Sequence, residues 1–198
     1  MASERAGTQP AGLLRYRDYP VQPWANGGGM TRLVAAGPGW RLSLADVGGD
    51  GPFSTFPNTT RVLTVVEGAG LRLTVDGVEH LVRPLMPFAF DGAATTSCRL
   101  IDGPVRAFNL MVDRTEGAPA LEVTVREESA LEAAPPLVAA MALAPAQLTG
   151  GAIESVQSVD PVVDLARLDT VIVPPADEPS ARETARLRGR FVAVSRRA

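Results

Sequence analysis

From about residue 40 onward, polar and apolar positions alternate in short runs rich in Val, Leu and Thr, and Gly, Pro or Asp cuts each run. A period of two over such lengths predicts strands with one buried face. The clearest are WRLSLADV (40–47), TRVLTVVEG (60–68), GLRLTVDGVEHLV (70–82), PFAF (87–90), SCRLIDG (97–103) and RAFNLMVDR (106–114). The Asp-Gly pair in VDGVE predicts a tight hairpin, because both central residues of a type I′ turn take positive φ, and EGAG predicts a second. After Pro119 the pattern continues more weakly through ALEVTVREE, LVAAMALA, AIESVQ, DTVIVPP and RFVAVS. RLRGRFVAVSRR reads as an edge strand whose arginines face water, and only DEPSARETARLR offers a helical turn. Many short strands without alternating helices predict a sandwich, jelly roll or barrel.

Alternation also assigns faces. Phe108, Leu110 and Val112 share one side of their run, with Asn109, Met111 and Asp113 on the other; Leu42 and Leu44 oppose Arg41, Ser43 and Ala45. A face mixing Asn, Met and Ser is a solvated surface in an open sheet and a polar pocket wall in a closed one. Both readings are open. So are two readings of WANGGGMTRL (24–33), since three consecutive glycines carry a large entropic cost unless the backbone needs them. A bulge or tight turn would explain them. Backbone amides of Gly27, Gly28 and Gly29 approaching an anion, with Asn26 and Thr31 adding side-chain hydrogen bonds, would do so equally. The spacing is not that of a dinucleotide fingerprint.

Length and charge narrow the class. A chain of 198 residues suits one large domain or two fused lobes and can bury roughly 70% of its unfolded surface. Its single cysteine, Cys98, excludes an internal disulfide and reads as a small buried hydrophobe. The opening MASERAGTQPAG lacks the apolar core of a secretory signal, which leads to the expectation of a cytoplasmic protein. The longest apolar stretch, PPLVAAMALAPAQL, is shorter than the roughly 20 residues of a membrane span, so no membrane partner is expected. A net charge of -3 argues against nucleic acid as a partner. Every cation is arginine, which removes Schiff-base lysines and a P-loop lysine from consideration. No G-x-S-x-G surrounds a serine, and the lone histidine, His80, reads as a surface strand residue.

Five segments in order, PWANGGGMTRL, GWRLSLADV, GPFSTFPNTTRVLTVVEGAGLRL, PFAFDG and LIDGPVRAFNLMVDR, together resemble the HutD/Ves family. The resemblance runs from about residue 13 to 114, and the C-terminal part matches only as a further β-lobe. It implies an all-β, cupin-like double-stranded β-helix (jelly roll) in a bicupin arrangement. Residues 13–118 would form the first barrel with a ligand pocket, 119–198 a smaller second lobe packed on it, and 1–12 a flexible N-terminus. This chain departs from the family pattern at Ala107, where an acid is often found, and at Asn58, where glycine is common. Cupins that hold a metal use two or three histidines, so neither a metal nor another cofactor is expected here.

The resemblance also implies a role in histidine utilisation, without established catalytic residues. The expected partner is a small carboxylated metabolite, urocanate- or formylglutamate-like, and the chain is expected to be a monomer or homodimer. Arg61 has the planar fork that suits a carboxylate, although an arginine at a strand end is ordinarily solvated. Phe53, Ser54 and Phe56 read as a core plug or as a lid over a ligand. Trp24, Ser43, Asn109 and Met111 complete the candidate set with Asn26, Gly27, Gly28, Gly29 and Thr31. Two alternatives stand beside this reading. A metal-independent isomerase would need Asp46 or Glu67 drawn into the pocket as acid or base; an interaction module would have a filled, vestigial pocket.

Overall fold

The structure, a computed structural model, describes residues 12–24, 27–115, 117–133, 136–149, 162–173 and 185–197. The described residues 20–119 form one compact unit, and 12–19 join 120–197 in another. Strand β1 (Gly12–Leu14) belongs to the second unit.

The first unit contains β2 (Val21–Pro23), β3 (Gly29–Gly37), β4 (Trp40–Val47), β5 (Gly51–Pro52), β6 (Thr59–Glu67), β7 (Leu71–Val75), β8 (Val78–Val82), β9 (Phe88–Asp91), β10 (Thr96–Leu100) and β11 (Val105–Asp113). They make two antiparallel sheets, ordered β2-β3-β4-β11-β6-β9 and β5-β10-β7-β8. Leu63, Val65, Ala45 and Val47 from the first sheet pack with Leu71, Leu73, Val82 and Cys98 from the second into one core. Each fully buried aliphatic side chain there contributes roughly 1.5–3 kcal/mol.

The turn chemistry is local and legible. Asp76 and Gly77 both hold positive φ (46° and 83°), joining β7 to β8 in register Val75↔Val78. Asn58 sits at φ 57°, the left-handed region that favours glycine and tolerates asparagine, just before β6. EGAG departs from the hairpin expectation. It carries the chain from β6 in one sheet to β7 in the other, and Gly68 (φ 97°) is required because a Cβ there would lie 2.7 Å from the Pro104 carbonyl oxygen.

The second unit is built from β1, β12 (Leu121–Ala133), β13 (Leu137–Ala142), β14 (Ala146–Thr149), β15 (Val162–Leu165), β16 (Thr170–Ile172) and β17 (Ala185–Arg196). Its sheet runs β1-β16-β13-β17-β14-β15, with β12 also paired to β17. RLRGRFVAVSRR is therefore a central strand, not an edge. It is bonded along both sides, and Leu187, Phe191, Val192 and Val194 are fully buried. Residues 13–19, expected from the resemblance in the first barrel, instead belong with this unit. Gly12 to Leu14 pair with β16, buried Asp169 accepts hydrogen bonds from Arg15 Nη1 (2.7 Å) and the Tyr16 amide (2.9 Å), and the Tyr19 hydroxyl bonds the Leu168 carbonyl at 2.8 Å. Burial raises the Tyr19 phenol above its usual range.

Of the flexible tail expected over 1–12, Gly12 instead pairs in β1 and the rest lies outside the described residues, as do the strand expected at AIESVQ and most of DEPSARETARLR, whose last four residues open β17. No helix among the described residues is long and apolar enough to cross a membrane.

Asn58 supplies a stability test. Asn58→Gly should be neutral or slightly stabilising, whereas Asn58→Val should cost about 1–2 kcal/mol through backbone strain. Urea midpoints of the two variants check this, and equal tolerance of valine and glycine would contradict the strained-turn account.

Candidate functional site

The inner face of the six-stranded sheet follows from its registers. Met111 pairs with Arg41 on β4 and with Arg61 on β6; Asn109 pairs with Ser43 and Leu63; Ala107 pairs with Ala45 and Val65. Because side chains alternate along each strand, these three rows lie on one face. The small side chains of Ala45 and Ala107 leave space above them, and a cavity of about 570 Å³ opens over this floor. The β5 segment and the loop after it border it through Pro52, Phe53, Ser54 and Phe56, while Gln22, Trp24 and Thr31 supply another wall. Backbone bonds from Phe53 N to Thr96 O (2.8 Å) and Phe56 N to Gly92 O (2.6 Å) hold that loop in place. Trp24 is oriented by its Nε1–H, which donates to Thr31 Oγ1 at 2.8 Å, and its ring meets Phe53 edge-on at 6.1 Å.

Nine residues expected from the sequence thus line one cavity: Trp24, Thr31, Ser43, Phe53, Ser54, Phe56, Arg61, Asn109 and Met111. The mixed faces are buried at their centre, where Ser43 is 2% and Asn109 3% exposed, and reach solvent at Asp113. The triglycine bend is a correction. Gly27, Gly28 and Gly29 border a separate depression with Asp46, Glu67 and Arg106, not the cavity. They serve the backbone. Gly27 has φ 69°, and a Cβ on Gly29 would collide with the Asp46 carbonyl oxygen and sit 3.2 Å from the Trp24 ring. Asn26 lies outside the described residues.

Arg61 dominates the electrostatics. It is 6% exposed, and its Nη1 donates to the Ser54 carbonyl at 3.2 Å. Its Cζ lies 4.9 Å from the Phe90 ring centroid, 5.2 Å from Phe56 and 5.6 Å from Phe53. Its Nε is buried without a hydrogen-bond partner, and no carboxylate among the described residues pairs with it. Burial pushes its pKa down to about 10. The guanidinium is charged near neutrality, but at a stability cost on the order of a few kcal/mol. That cost is fully present below about pH 10 and is relieved as pH rises toward the unfolded value. Three aromatic contacts offset part of it.

Asp46 and Glu67, required by the isomerase alternative, do not line the cavity; both are ion-paired to Arg106. His80 is half-buried on β8, its ring 4.8 Å from that of Phe88. Buried Cys98 has its thiol pKa raised by desolvation. Among the described residues, no group of three or more His, Cys, Asp or Glu side chains could hold a metal ion. Arg41 and Gln22 also line the cavity and Phe90 packs on Arg61, although none of the three belongs to the set expected from the sequence. Arg41 was legible in the alternation with Ser43, but Phe90 joins only through the β6–β9 pairing that sets it opposite Arg61.

Two stacked antiparallel sheets around an internal cavity define a cupin-like protein. The fold is shared with a cupin 2 conserved barrel domain protein from Leptotrichia buccalis (TM-score 0.62, 8% identity, 97% of this chain and 99% of that one). A HutD family model matches residues 16–189, and the chain belongs to the HutD family. Over 96% of its length it superposes on all of HutD from Pseudomonas fluorescens SBW25, with TM-score 0.72 and 31% identity. It is 48% identical over 109 residues to an uncharacterized 21.2 kDa protein in the hutC 3′ region of Pseudomonas putida, a match covering 50% of this chain and 56% of that one. It is 36% identical over 103 residues to protein Ves of Escherichia fergusonii, covering 48% and 54%. The chain thus spans little more than half the length of these two relatives.

Two substitutions separate structure from site. Gly29→Ala should cost about 2 kcal/mol by overpacking, measured as a lowered urea midpoint; an unchanged midpoint would contradict the close-approach account. Arg61→Met should stay within about 1 kcal/mol of the wild type, because an apolar side chain removes an uncompensated buried charge. A loss above about 3 kcal/mol would identify Arg61 as a structural residue.

Proposed function

We propose that this protein binds a small carboxylate metabolite in the cavity of its first unit, and that binding modulates histidine utilisation. The observation that carries the reading is Arg61: a buried cation inside a cavity, with an unpartnered Nε and no carboxylate among the described residues to neutralise it. Such a group costs stability until an anion arrives, which is the arrangement expected when charge is kept for a ligand. Arginine's fork suits a carboxylate, and the rings of Trp24, Phe53 and Phe56 would cover its apolar or planar part. Family membership supports the link to histidine breakdown, with urocanate and N-formylglutamate as the ligands to try first. The isomerase alternative loses support because Asp46 and Glu67 bond Arg106 away from the cavity. The interaction-module alternative called for a filled barrel, and about 570 Å³ of open space speaks against it.

Calorimetric titration of the ligand-free protein with the two acids tests the reading. Binding by the wild type should weaken at least about 30-fold in Arg61→Met, the equivalent of ~2 kcal/mol for a lost charge-assisted contact. The ligand should also raise the melting temperature of the wild type and not that of the variant. No heat from a folded sample with either acid, or equal affinity in Arg61→Met, would overturn the proposal.

A further inference from the structure

The cavity holds a second cation. Alternation along β4 turns Arg41 to the same face as Ser43 and Ala45, and the register sets it across Met111 from Arg61. With one strand spacing on each side of β11, the two arginine Cα atoms stand roughly 10 Å apart. Arg41 Nε is also buried without a partner, and no carboxylate among the described residues pairs with Arg41. One row further along the same face, Asn109 donates from Nδ2 to the Ala107 carbonyl at 3.3 Å, while its Oδ1 is buried and unpartnered. Arg41, Arg61 and Asn109 therefore line one cavity, and each carries a buried side-chain atom without a hydrogen-bond partner.

A single carboxylate answers only part of this demand. Held by Arg61, it would leave the Arg41 guanidinium on the same cavity wall without a carboxylate partner among the described residues. A compact dianion bridging both cations fits poorly, because the Arg61 guanidinium packs on Phe90 of β9, which lies on the side of β6 away from β11 and Arg41. We propose that the cavity is built for a dicarboxylate: Arg61 holds one end, Arg41 the other, the intervening chain passes over Met111, and Asn109 Oδ1 accepts a hydrogen bond from a donor along that chain. This rests on the carboxylate reading above and adds to it a selectivity for acids with two charged ends. Arg41 is then the residue that determines the selectivity.

The test compares glutarate with valerate, its one-carboxylate analogue of equal carbon number, and with inorganic phosphate, by calorimetry on the full chain. The wild type should bind glutarate at least tenfold more tightly than valerate or phosphate. Arg41→Gln should reduce glutarate to the valerate level and leave valerate unchanged, whereas Arg41→Lys, which keeps the charge, should retain part of the preference. Equal binding of glutarate and valerate by the wild type would overturn the inference while leaving the carboxylate reading intact. So would Arg41→Gln weakening both acids by one factor with its circular dichroism melt unchanged, or phosphate outcompeting glutarate. Failure of the wild type to bind glutarate, valerate, urocanate or N-formylglutamate would remove both. Should Arg41→Gln not fold, the wild-type ratio of the two acids decides.

Discussion

A guanidinium taken out of water with no carboxylate among the described residues to meet it is the constraint around which the first unit is organised. Arg61 reaches the cavity from the strand β6, where Met111 and Phe90 flank it in register, and its charge is accommodated by three aromatic faces and the Ser54 carbonyl. None of these contacts is an ion pair. The aromatic contacts and the single neutral hydrogen bond recover part of the desolvation cost, each at the scale of about 1 kcal/mol. What they leave over is available to a ligand that brings negative charge, so the same feature that weakens the empty protein would strengthen the occupied one.

The elements around the cavity gain their purpose from this. Alanines at 45 and 107 keep the floor low, and the loop through Phe53 and Phe56 closes over Arg61 because backbone bonds to Thr96 and Gly92 fix its path. The triglycine bend works one step further out. By letting β3 pass against the Asp46 carbonyl, Gly29 brings Thr31 to the wall, and Thr31 in turn orients the indole of Trp24. The glycines therefore shape the cavity without touching it. The acidic side chains nearest in sequence, Asp46 and Glu67, point to the other depression and are held by Arg106. This segregation keeps the floor cationic in a chain whose net charge is -3.

What could be read from the chain alone was governed by short-range rules. Period-two alternation placed β4, β6 and β11 almost to the residue, and the left-handed requirement of a tight hairpin marked Asp76-Gly77. The face carrying Ser43, Asn109 and Met111 was visible for the same reason, as was Arg61 at the head of its strand. These signals survive because they depend on neighbours one to three positions away.

Tertiary structure alone decided which strands lie side by side. Sheet order and register join residues dozens of positions apart, and no local pattern encodes them. That is why EGAG proved to be a crossover between sheets, why RLRGRFVAVSRR proved to be central, and why the segment at 12–19 joined the far end of the chain. It is also why Arg41 entered the cavity opposite Arg61 while the glycines left it. Whether a polar face meets solvent or a ligand space depends on what is folded over it, and that is settled only when the sheets close.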